Sequence, residues 1–274
     1  MQIDATLLDD VIAVVKQAGE AVLPYYQGLI PLDIATKADN TAVTAADRHL
    51  DQLLRSALSP LLPDVPILSE EGVIPSFTER HQWPRYWCVD PIDGTRGFID
   101  KSDEFCINVA LIEQHQPILG VVYAPAKSLC YAAAKDLGAL VERDGQRRPL
   151  LLQPKSSTAT PVWLVGHFID KGVVQQLQQR SDIEIQQCHS AIKLGYIAEG
   201  IADCYPKKGP TSEWDIAAGQ IIIEEAGGAV LDFEAKPLQY NARESLLNPP
   251  FVALGDPSQF ATYLQFFQSL RRKI

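Results

Sequence analysis

Histidine, cysteine and positive charge are all scarce in this chain. Of its 274 residues five are cysteine and five histidine, and 24 Lys and Arg stand against 34 Asp and Glu, a net charge of −10. The cysteines (Cys88, Cys106, Cys130, Cys188 and Cys204) are scattered, odd in number and form no CxxC pair. They read as reduced, buried thiols of a cytoplasmic protein. The acidic balance repels nucleic acid polymers and leaves no polybasic patch for a membrane. No apolar run approaches the roughly 20 residues that cross a bilayer. The N-terminal stretch MQIDATLLDDVIAVV has neither a basic leader nor a small-residue cleavage site, so no signal peptide is expected. Repeats and low-complexity tracts are absent too. An anionic ligand would therefore draw its positive charge locally, from a few lysines and arginines or from metal ions.

What is present is a globular composition, 46% hydrophobic and 21% charged, long enough for one large domain or two ordinary ones. Residues 6–27 place Leu7, Leu8, Val11, Ile12, Val15, Ala18 and Val22 on one helical face, with Thr6 as cap and Pro24 kinking or ending the helix. Residues 45–61 predict a second helix with Thr44 as N-cap and Asp47 three positions on. VPIL (65–68) and YWCV (86–89) read as short strands, the second stopped by Pro91 and Gly94. From Cys106 to Leu152, β-rich runs separated by turn signals predict an antiparallel meander. Beyond Pro154, strands alternate with helices near 170–180, 190–200, 213–226 and 257–272, the pattern of an α/β layer. The seam near 154–160 has linker composition and divides the chain into halves, 1–155 and 156–274.

Chemistry concentrates in WCVDPIDGTRGFI (87–99). Glu70, Asp90 and Asp93 each lie at or just past the end of an apolar strand, where ligand sites gather in sheet proteins. Two aspartates flanking Pro-Ile can face one pair of metal ions, with the Ile92 carbonyl between them. Gly94 and Thr95 offer N–H groups at a helix start, where a phosphate is stabilised. In EWDIAAGQIIIEEAGG (213–228) the first turn of a helix presents Asp215, and Gly227–Gly228 end it. No histidine or cysteine joins these acids. An oxygen-only set suits a hard cation such as Mg²⁺ and phosphate chemistry rather than a zinc hydrolase. Plainer readings stand beside this one. DPIDG is a common turn, Glu70 and Glu71 can be surface charge, and Asp47 and Asp215 can be helix-capping partners of Thr44 and Ser212.

DPIDGTRGF and WDIAAGQIIIEEAGG resemble the two signatures of the inositol monophosphatase superfamily of Mg²⁺-dependent, lithium-sensitive phosphatases. KADNTAVTAAD (37–47), PDVPILSEE (63–71), ADCYPKKGPTSEWD (202–215) and KPLQYNARESLLNP (236–249) are similar to its bacterial CysQ-type 3′(2′),5′-bisphosphate nucleotidases. The likeness runs from about residue 5 to residue 251. It implies a layered αβαβα sandwich of mixed α+β and α/β character. It implies two or three Mg²⁺ ions held by Glu70, Asp90, the Ile92 carbonyl, Asp93 and Asp215. Asp47 and Thr95 would orient and deprotonate the attacking water, with Glu70 counted in the catalytic set. Glu70, Ile92, Asp93, Gly94, Thr95 and Asp215 would also border the substrate, with Ser190, Lys193 and Lys207 on its nucleotide side. The implied reaction releases the 3′-phosphate of adenosine 3′,5′-bisphosphate, giving AMP, in the cytoplasm and in the service of sulfate assimilation.

The chain departs from the subgroup at two places. His189-Ser190-Ala191 replaces the usual Gly-Ser-Ser, and Lys207 stands where Arg is more frequent. His189 and His167 are expected as packing or surface residues. An inositol or sugar phosphatase on the same fold, and a non-catalytic metal or phosphate sensor, are the alternative functions. The expected partner is a small-molecule phosphate ester. Oligomeric state and peripheral contact with the inner membrane stay open.

Overall fold

The computed structural model describes residues 3–36, 42–153, 159–166, 171–263 and 265. The chain opens with α1 (Ala5–Tyr26), a small antiparallel pair β1 (Ala35–Thr36) and β2 (Ala42–Val43), and α2 (Ala45–Leu58). Next come β3 (Ile67–Ser69), α3 (Phe77–Arg80), β4 (Arg85–Asp93) and the short α4 (Thr95–Ile99). The meander is β5 (Cys106–Glu113), β6 (Gln116–Ala124), β7 (Leu129–Ala134), β8 (Gly138–Arg143) and β9 (Gln146–Leu150). The second half holds β10 (Val162–Val165), α5 (Lys171–Gln178), β11 (Glu184–Gln187), α6 (Ile192–Ala198), β12 (Cys204–Lys207), α7 (Ala217–Glu225), β13 (Ala229–Asp232) and β14 (Phe251–Leu254).

These form the five layers of an αβαβα sandwich. A seven-stranded sheet runs in order β3-β4-β5-β6-β7-β8-β9, and only β3 and β4 are parallel. Its alternation is regular. Ile107, Val109 and Leu111 of β5 join the core under α1 and α2, while Cys106, Ala110 and Ile112 join the core under α6 and α7. A two-residue period explains this directly. Leu50, Leu54 and Leu58 of α2 repeat every four residues and are fully buried, each stabilising the fold by about 1.5–3 kcal/mol. The five-stranded sheet has order β11-β10-β12-β14-β13. Its inner side chains pack on α6 and α7, and its outer ones meet Leu177 of α5 and Tyr263.

The second half thus packs α7 against the sheet of the first, and one core is continuous across both halves. Gly120 on β6 permits it. A Cβ there would lie 2.5 Å from the Ala218 carbonyl oxygen of α7.

Several boundaries differ from expectation. Asp4, not Thr6, caps α1, accepting the Leu7 N–H at 2.9 Å. Asp4 is the residue with extended backbone, whereas Thr6 is already helical. Pro24 sits within the last turn, and the helix runs two residues past it. Helix α2 ends at Leu58 rather than at 61. β4 is not stopped at Pro91 but carries on through a bulge to Asp93. The 213–226 helix is a 3₁₀ turn at Glu213–Asp215 followed by α7, with a break at Ile216. The second sheet also holds a strand absent from the sequence reading, β14, which inserts antiparallel between β12 and β13. Near 257–272 the described residues show a 3₁₀ turn at Pro257–Gln259 and a helical start. Positions 264 and 266–272, together with most of the 154–160 seam and His167, lie outside the described residues. No helix among the described residues is long and apolar enough to cross a membrane.

Candidate active site

Asp90 and Asp93 are three residues apart, so a plain strand would send them to opposite faces. The register of β4 against β5 removes this difficulty. Asp90 pairs with Asn108 and Asp93 with Cys106, so three steps on β4 oppose two on β5. The surplus residue is a β-bulge, a place where Pro91 and its missing N–H are tolerated. Both aspartates therefore fall on the face of Cys106 and Asn108. The Cys106 thiol is 3.6 Å from Asp93 Oδ2 and 3.4 Å from Asn108 Oδ1. Asp90 Oδ1 accepts the Ile92 N–H at 3.0 Å, which fixes the bulge from within. Gly94 then turns the chain into α4 with φ +85°, and a Cβ there would sit 2.9 Å from the Glu104 carbonyl oxygen.

Parallel pairing of β3 with β4 brings their C-terminal ends to the same edge. The Glu70 N–H donates to the Val89 carbonyl at 3.1 Å, which puts Glu70 beside Asp90. Asp215 ends the 3₁₀ turn packed on β4. One carboxylate oxygen from each of Glu70, Asp90 and Asp215 lies within 4.8 Å of the other two.

Asp47 and Asp215 each serve two structures at once. Asp47 Oδ2 accepts the Thr44 N–H at 2.7 Å and the Thr44 hydroxyl at 2.6 Å, the capping box of α2. Its Oδ1 faces the Thr95 hydroxyl at 3.5 Å, and that hydroxyl also lies 3.2 Å from the Ile92 carbonyl oxygen. Asp215 Oδ2 accepts the Ser212 N–H at 2.9 Å and the Thr211 hydroxyl at 2.5 Å, and Oδ1 takes part in neither bond. The capping reading and the site reading of these two residues are compatible because a carboxylate has two oxygens.

Electrostatics make the cluster costly without a cation. Burial, then the charges of Glu70, Asp93, Asp215 and Asp47, push the Asp90 carboxyl well above the usual carboxylate range. Burial raises Asp93 as well, against the pull of Lys193 and of the Ala191 N–H that donates to its Oδ2. Asp215 is pushed up to about 7, by burial first and by Asp93 next. The donors are all oxygen, and the nearest thiol, Cys106, is held protonated by burial. This set fits a hard divalent cation such as Mg²⁺.

A cavity of about 200 Å³ opens from the cluster, and Asp93, Gly94, Ser190, Lys193, Lys207 and Asp215 all line it. Ser190 is buried with φ +51°. Lys193 is 8% exposed. Its ammonium donates to the Ser190 carbonyl and lies 5.0 Å from the Tyr205 ring centroid. Burial pulls that ammonium down, Tyr205 and Asp93 outweigh it, and the net shift is upward. Lys207 is partly buried; its backbone is in register with Phe251 of β14, and the residue lines the cavity. Burial and then the charge of Lys193 hold its pKa below the usual value. The His189 N–H donates to Glu104 Oε2 at 2.9 Å.

Sequence reasoning passed over Arg96, Tyr205 and Thr211, which line the same cavity. Arg96 was legible as the residue after Thr95, and Thr211 as a hydroxyl one helical turn before Asp215. Tyr205 carried no local signal.

The pattern described as the inositol monophosphatase family matches residues 5–263. A curated relative, the 3′(2′),5′-bisphosphate nucleotidase CysQ of Shigella flexneri, is 42% identical over 245 residues, covering 89% of this chain and 98% of its own. The crystal structure of CysQ from Bacteroides thetaiotaomicron, a bacterial member of the same family, superposes with a TM-score of 0.74 at 30% identity, over 90% of this chain and 96% of that one. An IMPase of Thermotoga maritima superposes at 0.80 with 25% identity, over 97% and 98%.

Proposed function

The chain belongs to the inositol monophosphatase family, and from that premise we propose that it is a 3′(2′),5′-bisphosphate nucleotidase, converting adenosine 3′,5′-bisphosphate and water to AMP and phosphate. The phosphatase chemistry rests on the convergence of Glu70, Asp90 and Asp215 beside the Asp47–Thr95 pair. One observation carries the choice of a bisphosphate. Lys207 stands with Lys193 in the cavity that opens from those carboxylates, a second cation that suits a substrate with a second phosphate.

Two or three Mg²⁺ ions would be held by Glu70, Asp90, the Ile92 carbonyl, Asp93 and Asp215. When bound, they supply the positive charge that acidifies water and stabilises the transferring phosphoryl group. The chain's own residues do the rest. Asp47, fixed by its capping box, holds Oδ1 toward Thr95. The Thr95 hydroxyl takes up the proton of the attacking water and passes its own to Asp47. The water oxygen bonds to phosphorus, the bond from phosphorus to the 3′-oxygen breaks, that oxygen takes a proton from solvent to become the 3′-hydroxyl of AMP, and Asp47 releases its proton to solvent in turn. No covalent phosphoryl-enzyme is required. Ser190 and Lys193 shape the wall of the cavity, and Lys207 receives the second phosphate. The five free, buried thiols fit a cytoplasmic enzyme.

The test is a comparison of kcat/KM for adenosine 3′,5′-bisphosphate and inositol 1-phosphate at equal Mg²⁺. A strong preference for the bisphosphate is expected. Equal values would move the enzyme to the sugar-phosphatase class.

A further inference from the structure

YNARESLLNP, residues 240–249, contributes nothing to the cavity. It crosses instead the turn that carries Asp215. The Glu213 N–H donates to the Leu246 carbonyl at 2.9 Å, and the Asn248 N–H to the Thr211 carbonyl at 2.9 Å. Ser212 and Leu247 form an isolated antiparallel bridge. Asn248 Nδ2 donates to the Ser212 carbonyl at 2.8 Å, and the Asn241 N–H donates to Glu213 Oε2 at 2.7 Å. Thr211, Ser212 and Glu213 are thus each gripped from outside their own element. Inside the turn, Asp215 Oδ2 takes the Ser212 N–H and the Thr211 hydroxyl, while the backbone bonds, Asp215 N–H to Ser212 and Ile216 N–H to Glu213, are longer at 3.3 and 3.2 Å.

The other end of the segment is anchored on Arg80. Asn241 is 1% exposed and Arg80 2%. Asn241 Nδ2 donates to the Arg80 carbonyl at 2.5 Å, its Oδ1 accepts from the Arg80 guanidinium, and the same guanidinium donates to the Glu244 carbonyl. Asn241 holds φ +53°, a conformation that Asn tolerates better than most residues. Arg80 ends α3, which lies on the connection between Glu70 and β4. The segment therefore ties the Asp215 turn to the stretch of chain that joins Glu70 to Asp90.

We infer that residues 240–249 form a positioning strap. It sets the separation between Asp215 and the Glu70–Asp90 pair, with Asn248 as a positioning residue that acts through the Ser212 carbonyl and Asn241 as one that joins the Glu213 carboxylate to Arg80. The need for one is electrostatic. Carboxylates within 4.8 Å repel one another, and before a cation binds, hydrogen bonds must hold the Asp215 turn in place. The inference rests on the reading of Asp215 as a metal ligand.

The test uses Asn248→Ala, which deletes one side-chain bond and leaves the Arg80 anchor intact, with Asn241→Ala as the stronger lesion. Each protein is stripped of metal, titrated with Mg²⁺ by calorimetry and melted, and Asp215→Asn is titrated in parallel. Asn248→Ala should weaken Mg²⁺ binding about five- to tenfold, the scale of one lost neutral hydrogen bond. Its kcat should return to within about twofold of the parent at saturating Mg²⁺, with KM for the bisphosphate kept. An unchanged Mg²⁺ isotherm with a lowered melting temperature would reduce the segment to plain structure and overturn the strap. Should Asp215→Asn itself leave the isotherm unchanged, the ligand reading fails instead, and the strap falls with it. If Asn241→Ala does not fold, Asn248→Ala decides alone.

Discussion

Lys193 and Lys207 line one cavity, but their removal should leave opposite signatures. The Lys207 ammonium is disfavoured by burial and by the neighbouring charge of Lys193, which together outweigh the pull of Asp215 and Asp93. Lys207→Ala should therefore leave the melting temperature unchanged or raise it slightly. In the complex the same ammonium meets the second phosphate of the substrate. A charge-assisted hydrogen bond of that kind is worth about 1.5–3 kcal/mol, or roughly 10- to 150-fold in kcat/KM. Adenosine 3′-monophosphate has the same leaving group without the second phosphate, and should lose less than about twofold. Lys193 sits differently, donating to the Ser190 carbonyl over the Tyr205 ring and offsetting the charge of Asp93. Taking one partner from a buried charge pair costs about 3–5 kcal/mol, less whatever Mg²⁺ restores. Lys193→Ala should lower the melting temperature and slow both substrates alike. The assay is kcat/KM for the two nucleotides at saturating Mg²⁺, with melting curves for each variant. Equal losses on both substrates with Lys207→Ala, or none on either, would refute the assignment of the second phosphate to this side chain.

Thr95→Ala should lower kcat by about 10²–10⁴-fold, the scale of lost acid–base positioning, while the calorimetric Mg²⁺ isotherm is kept. Asp93→Asn should lose Mg²⁺ binding and turnover together, and a Thr95→Ala protein that lost Mg²⁺ as badly would refute the division of roles. In the metal-free protein Asp215 rises from 3.8 to about 7, and Asp90 and Asp93 rise too. An acid with a raised folded pKa favours the fold when protonated. Its contribution is complete below about pH 3.8 and is lost as pH rises through about 7. The gain in melting temperature on adding Mg²⁺ should therefore be larger at pH 8 than at pH 6, and a gain independent of pH would show that these carboxyls do not set the linkage.

Local chemistry was legible where it stayed local. Thr44 and Asp47 announced the start of α2 because a capping box spans only four residues, and the meander followed from alternation and turn residues. The cluster itself was readable as acids at strand ends. Its geometry was not, since alternation taken literally separates Asp90 from Asp93, and only pairing with β5 reveals the surplus residue. The tie between Arg80 and Asn241 joins positions 161 residues apart, with no periodicity to mark it. The insertion of β14 between β12 and β13 was equally hidden, because strand order depends on which edges remain free after the layers stack. The two lysines looked alike in sequence, and only burial and partners distinguish them.

The bulge in β4 is, in effect, a change of parity. Upstream of it the even-numbered Tyr86 and Cys88 belong to the core beneath α6 and α7, while the odd-numbered Trp87 and Val89 belong to the core beneath α1 and α2. Downstream an odd-numbered residue, Asp93, shares the face of Asp90. The DPID spacing is thus fixed by counting, independently of what each side chain can do. Substitution can drift through this strand one residue at a time. A change in its length cannot, because gaining or losing one residue would turn Asp93 away from Asp90 and carry Gly94 and Thr95 with it.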